Sequence, residues 1–140
     1  MPVLVDTPVW SFALRRRRDG LSSAESARVA VLQTLIHSGE AVIIGPVRQE
    51  MLTGIRDHAT YLRLRDRLRA FPDAELAAED YERAAEFAST CVRAGEADSP
   101  VDYIICSAAV KLNAPIFTAD SDFTRYARLL PISLYENVAC

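Results

Sequence analysis

Short apolar runs divide this chain into segments in which apolar residues recur at helical spacing. Val3-Leu4-Val5, Ala41-Val42-Ile43-Ile44 and Ile116-Phe117 are too short for helices and apolar at every position, the pattern of strands buried on both faces. Ile132-Ser133-Leu134 predicts a last strand, and Ala74 to Ala77 a marginal edge strand. Thr7-Pro8 opens a helix with proline near its first turn; Val9, Trp10, Ala13 and Leu14 give its apolar side before Asp19-Gly20 breaks it. A second helix starts at Ser22 or Ser23, with Ala24, Ala27, Val31 and Leu35 as its stripe and Leu32 and Ile36 beside it, and stops at Ser38-Gly39. Pro46 opens a short helix through Leu52, and another runs from about His58 to Ala70 on Tyr61, Leu64, Leu68 and Phe71. From Glu79 to Ala94 the apolar positions are Tyr81, Ala84, Ala85, Ala88, Cys91 and Val92. Ser99-Pro100 opens the most regular helix, striped by Val101, Ile104, Ile105, Ala108 and Leu112, and a short helix covers Phe123 to Arg128.

Strands alternating with helices predict an α/β fold: a mainly parallel sheet with helices on both sides. At 140 residues, half of them hydrophobic, the chain is expected to form a single domain over 1–140 with a real core. No apolar run reaches the roughly 18 residues that a membrane span needs, and Met1 to Asp6 lacks the features of a secretory signal. A cytoplasmic protein with no membrane partner is expected. Cys91, Cys106 and Cys140 are odd in number, widely separated and without a CxxC pair, which argues against a disulfide framework or a zinc site. The net charge is −3, so the charge of the whole chain does not announce nucleic acid. Arginine is nevertheless concentrated locally, in Arg15 to Arg18 and in Arg56, Arg63, Arg65, Arg67 and Arg69, either as solvated helix faces or as phosphate contacts.

The candidate chemistry lies in the acids. Val3-Leu4-Val5 runs into Asp6, and Ile116-Phe117-Thr118-Ala119 runs into Asp120-Ser121-Asp122. In open parallel sheets the carboxyl ends of strands are where ligands bind. Each acid also has a plainer reading as a helix cap or first-turn residue, including Asp102 in Ser99-x-x-Asp102, which is patterned like a capping box. Glu50, one turn into its helix, is by itself an unremarkable helix former. Spacing alone leaves both readings open.

Four segments in order carry a resemblance. Leu4-Val5-Asp6-Thr7-Pro8-Val9-Trp10, Pro46-Val47-Arg48-Gln49-Glu50-Met51-Leu52, Val101-Asp102-Tyr103-Ile104-Ile105-Cys106-Ser107-Ala108-Ala109 and Thr118-Ala119-Asp120-Ser121-Asp122-Phe123 resemble the acidic motifs of PIN-domain nucleases. Within that family, the chain looks like the VapC-type ribonuclease toxins of bacterial toxin–antitoxin pairs. Cys106-Ser107 departs from the two alanines usual there, and Asp98 is an additional acid without an assigned role.

The resemblance implies a PIN-like three-layer fold and a metal-dependent endoribonuclease. Its catalytic acids would be Asp6, Glu50, Asp102, Asp120 and Asp122, with Asp6, Asp102 and Asp120 holding the metal. An all-carboxylate donor set selects Mg²⁺, with Mn²⁺ as substitute, over zinc. Implied partners are an RNA substrate, a cognate VapB-type antitoxin and a second copy of the chain. Two other phosphate chemistries fit less well. A receiver-type regulator resembles a more regular βα alternation, with a lysine after its last strand, whereas Lys111 lies within a helix. An Asp-x-Asp phosphatase places its pair after the first strand, not at Asp120 and Asp122. An RNA-processing nuclease outside any toxin pair and a non-catalytic interaction module are the remaining alternatives.

Overall fold

The computed structural model describes residues 1–136; Cys140 lies outside the described residues. Strand β1 (Val3–Val5) is wholly buried and forms the middle of a three-stranded parallel sheet. It pairs with β2 (Ala41–Val42) through Val3↔Ala41 and Leu4↔Val42, and with β3 (Ile116–Phe117) through Leu4↔Ile116 and Val5↔Phe117. The chain leaves β1 for one neighbour and returns to the other, so strand order reverses at β1. A crevice therefore opens at the carboxyl ends of β1 and β3.

Helices α1 (Thr7–Leu14) and α2 (Ser23–His37) connect β1 to β2. Helices α3 (Gly45–Leu52), α4 (His58–Leu68), α5 (Ala78–Arg93) and α6 (Pro100–Leu112) lead on to β3, and α7 (Asp122–Leu129) follows it. Parallel pairing requires such crossovers, and the helices cover the faces that the apolar strands cannot expose. The core joins the strands to Trp10, Leu32, Met51, Leu68, Ile105 and Phe123. The expected α/β class, with a parallel sheet between helices, is what the structure shows.

Several expected details differ. The second strand stops at Val42 because Ile44 already caps α3, accepting the Val47 and Arg48 amides at 3.1 Å each. No strand forms at 74–77. One bridge joins Ile43 to Asp73, with the Ala74 amide donating to the Ile43 carbonyl at 2.9 Å. Beyond it, the Glu75 carbonyl instead accepts the Lys111 ammonium at 2.6 Å. The last predicted strand is likewise reduced to a bridge between Ile116 and Leu134, since β3 is only two residues long.

The helix faces also turn differently from the sequence pattern. In α2 the buried positions are Val29, Leu32 and Leu35, whereas Ala24 and Ala27 are exposed. Larger side chains gain more from burial than alanines do, and they set the rotation. Helix α5 has two apolar faces. Ala84 and Cys91 face the core, while Tyr81 and Val92 stand 48% and 47% exposed.

The face of α5 that meets α6 carries a buried carboxylate. Asp80 is 4% exposed, accepts the Ala77 amide at 2.7 Å, and pairs with Arg83 at 3.0 Å and Lys111 at 2.9 Å. These partners hold its pKa down at about 2, the Ala77 amide first among them. Ser107 donates to the Asp80 carbonyl at 2.6 Å and accepts from Arg83 at 3.1 Å. The serine that departs from the familiar small-residue helix is thus part of a clamp between α5 and α6. Cys106 beside it is fully buried, and burial pushes its thiol well above its ordinary pKa, as expected of an inert core residue.

Candidate active site

Backbone ends place the acids. Asp6 leaves the carboxyl end of β1 and caps α1. Its two oxygens are both engaged: one accepts the Thr7 amide at 2.8 Å, the other the Thr118 hydroxyl at 2.8 Å. That hydroxyl in turn accepts the Asp120 amide at 2.9 Å, and the Asp120 carboxylate accepts the Asp122 amide at 2.9 Å. A chain of hydrogen bonds therefore runs from β1 through the turn after β3. Capping and clustering are not alternatives for Asp6; one side chain does both.

Asp102 behaves otherwise. Ser99 makes no side-chain capping bond to α6, so the predicted capping box is absent. The Asp102 carboxylate instead points across to α7 and accepts the Tyr126 hydroxyl at 3.0 Å. Glu50 reaches the same crevice from α3, where Thr7 donates its hydroxyl to it at 2.6 Å. Carboxylate oxygens of Asp102, Asp120 and Asp122 all lie within 4.8 Å of one another. Asp6 adjoins them, near enough for its charge to act on the group. The tightest trio thus includes Asp122, where the sequence reading grouped Asp6 with Asp102 and Asp120. Asp122 is also paired with Arg125, whose Nε is held by Glu96 at 3.0 Å. Asp98 is not among the three clustered acids.

Electrostatics reflect this crowding. Burial raises the Asp6 pKa from 3.8 to about 6, opposed by its bonds from Thr118 and Thr7 and reinforced by Asp102 and Asp120. Burial likewise raises Asp102 to about 6; the Tyr126 bond opposes the rise, and Asp120, Asp122 and Glu50 add to it. Such a site favours whatever neutralises it. Its donors are carboxylate oxygens without histidine or thiolate, which fits a hard divalent cation.

The family model for the PIN domain matches residues 3–129. The chain belongs to the PIN domain family. PIN domains are generally nucleases, so the acidic crevice lies in a family of phosphodiester hydrolases. Among solved structures, this PIN domain is similar to FitAcB from Neisseria gonorrhoeae, with a TM-score of 0.67 and 20% identity over 96% of each chain. It is also similar to VapBC2 from Rickettsia felis bound to a DNA fragment from their promoter. There the TM-score is 0.71 and the identity 17%, over 99% of this chain and 100% of that one. At such identities the likeness establishes the shared fold. No curated protein matches the chain significantly.

Sequence reasoning missed the hydroxyl groups that hold the acids: Thr7, Thr118 and Tyr126. Thr7 and Thr118 sit one and two residues from an aspartate, a local signal for side chain–backbone bonding. Tyr126 lies 24 residues from Asp102, and no local signal joins them.

Proposed function

We propose that this PIN domain is a Mg²⁺-dependent endoribonuclease, the toxin of a VapBC-type toxin–antitoxin pair, with Mn²⁺ as a possible substitute. The observation that carries the reading is the gathering of Asp102, Asp120 and Asp122 within 4.8 Å beside Asp6, with no soft ligand in the cluster. Asp6, Asp102 and Asp120 are the proposed metal ligands. When bound, Mg²⁺ acidifies water and offsets negative charge gathering on phosphate oxygens. Glu50, exposed at the mouth and fixed by Thr7, orients the attacking water. Thr118 keeps Asp6 and the turn bearing Asp120 in register, and Arg125 holds Asp122 at the rim.

The partner reading is supported by likeness to chains solved as VapBC2 and FitAcB. A VapB-type antitoxin that blocks the acidic crevice is the proposed inhibitor, and the cytoplasm is the proposed site of action. The test is cleavage of RNA by the isolated chain. Cleavage is expected with Mg²⁺ or Mn²⁺ and none in chelator; no cleavage with either cation would leave the chain as a non-catalytic interaction module.

We also propose a homodimer. The outward face of α5 presents Tyr81, Ala85 and Val92 at helical spacing, apolar surface that the core does not use. Light scattering at micromolar concentration is expected to give a dimer, and Val92→Glu a monomer. A monomeric wild-type chain would count against this interface.

A further inference from the structure

The arginines that the acidic centre does not use are not equivalent. Arg16 is paired with Glu25 at 3.1 Å, Arg17 with Asp19 at 3.7 Å and Arg65 with Asp66 at 3.0 Å. Arg15, Arg63 and Arg67 have no carboxylate partner among the described residues. All three are exposed, and all three line one groove of about 320 Å³ between the end of α1 and α4. Thr60, Leu14 and Ile55 also line it, and no acid does. The guanidiniums are held from behind by neutral oxygens: Arg15 donates to the Met51 carbonyl at 3.4 Å, Arg67 to the Leu14 carbonyl at 3.4 Å and Arg63 to the Thr60 hydroxyl at 3.2 Å. Arg15 and Arg67 therefore keep their charge uncancelled, while Arg63 also feels the Asp57 carboxylate across Thr60.

The groove is anchored on α3, the helix that carries Glu50. Arg15 donates to the carbonyl of Met51, the residue after Glu50, so one helix links the basic groove to the acidic crevice. The stretch from 56 to 69 carries five arginines against two aspartates in a chain of net charge −3. Of those aspartates, Asp57 caps α4 through the Thr60 amide at 3.0 Å and Asp66 is paired with Arg65. What remains is a local positive strip beside a site that repels phosphate. We infer that the groove of Arg15, Arg63 and Arg67 binds the phosphate backbone of single-stranded RNA and leads it past Glu50 to the carboxylates. The inference rests on the ribonuclease reading above and adds to it the surface that holds the substrate. Guanidinium forks suit phosphate oxygens, and the aliphatic floor accommodates a sugar or base face without selecting its identity.

The experiment measures binding of a single-stranded RNA oligonucleotide in chelator across a range of salt concentration. It uses an Asp102→Asn chain, so that substrate survives, with and without Arg63→Gln and Arg67→Gln. Each phosphate contact to single-stranded nucleic acid contributes a slope of about 0.7 in log affinity against log salt. The double substitution is expected to make the slope shallower by about 1.4 and to weaken binding at low salt. Arg17→Gln, on a residue already paired, is expected to leave it unchanged. Arg63→Gln alone is expected to remove about half of the difference, which guards against a folding defect in the double variant. An unchanged slope in both variants overturns the inference. Cleavage by the wild-type chain is scored separately. Cleavage with an unchanged slope removes only the groove, and absence of cleavage removes the nuclease reading whatever the slope.

Discussion

Asp102→Asn is expected to leave the fold standing and to lower RNA cleavage by orders of magnitude. Asp102 contributes no capping bond to α6, so its local structural role is limited to first-turn dipole stabilisation, about 0.3–1 kcal/mol. Its carboxylate is instead committed to the crevice, together with Asp120 and Asp122. The amide keeps the shape and an oxygen for Tyr126 while removing one negative charge. Mg²⁺ affinity, read by calorimetry, should fall clearly. The melting temperature without metal should stay level or rise, because one member of a mutually repelling group has been neutralised. A purely structural Asp102 gives the opposite pattern: slightly lower stability with activity and metal affinity intact. Full cleavage activity in the variant would end the mechanism drawn for this site.

Acidification from pH 7 to about 5 is expected to stabilise the metal-free protein. Asp6 and Asp102 have pKa values near 6 when folded and near 3.8 in the free chain. Between these values the folded state holds protons that the unfolded chain has released. Stability from these two groups is thus fully present below about 3.8 and is lost as pH rises through about 6. For buried Asp6, a rise of that size corresponds to a penalty on the order of 3 kcal/mol at neutral pH. Asp80 works the other way. Held at about 2, it contributes stability above 3.8 that disappears as pH falls toward 2. In chelator, melting temperature should therefore increase from pH 7 to about 5 and turn down below about 4. Saturating Mg²⁺ should reverse the trend, raising stability most at pH 7, by about 2.7 kcal/mol at a hundredfold excess over Kd. A steady fall in melting temperature from pH 7 to 5 in chelator would contradict the crowded-carboxylate account.

How far the sequence reaches depends on whether a feature is local. The strands β1 and β3 are legible because consecutive apolar residues ending in aspartate have few other solutions in a soluble chain. Helix positions are legible from their proline and glycine boundaries. Their rotations are less so: Ala24 and Ala27 keep helical period on α2 but have too little area to compete with Val29 and Leu32 for the core. Strand lengths depend on partners, which is why 74–77 forms no strand beyond the single bridge at Asp73 and 132–134 contributes one bridge at Leu134. At the site, the acids could be named from four motif segments, and Asp6 both caps α1 and adjoins Asp102 and Asp120. The pairing of Tyr126 with Asp102 and the clamp around Asp80 cross between helices and leave no trace in local spacing.

The acids come from the end of β1, from α3, from the start of α6, and from the turn after β3 and the start of α7, so the site draws on residues from 6 to 122. A chain emerging from the ribosome has made Asp6, Glu50 and Asp102 well before Asp120 and Asp122, and β3 is needed to bring the last acids beside the first. Until then the partial product is an incomplete set of charges with no strand to align them. For the ribonuclease proposed above, such a chain is expected to leave intact the message and the translation machinery that are producing it. The order of synthesis is then expected to act as a safety catch, released only when the sheet closes on its third strand.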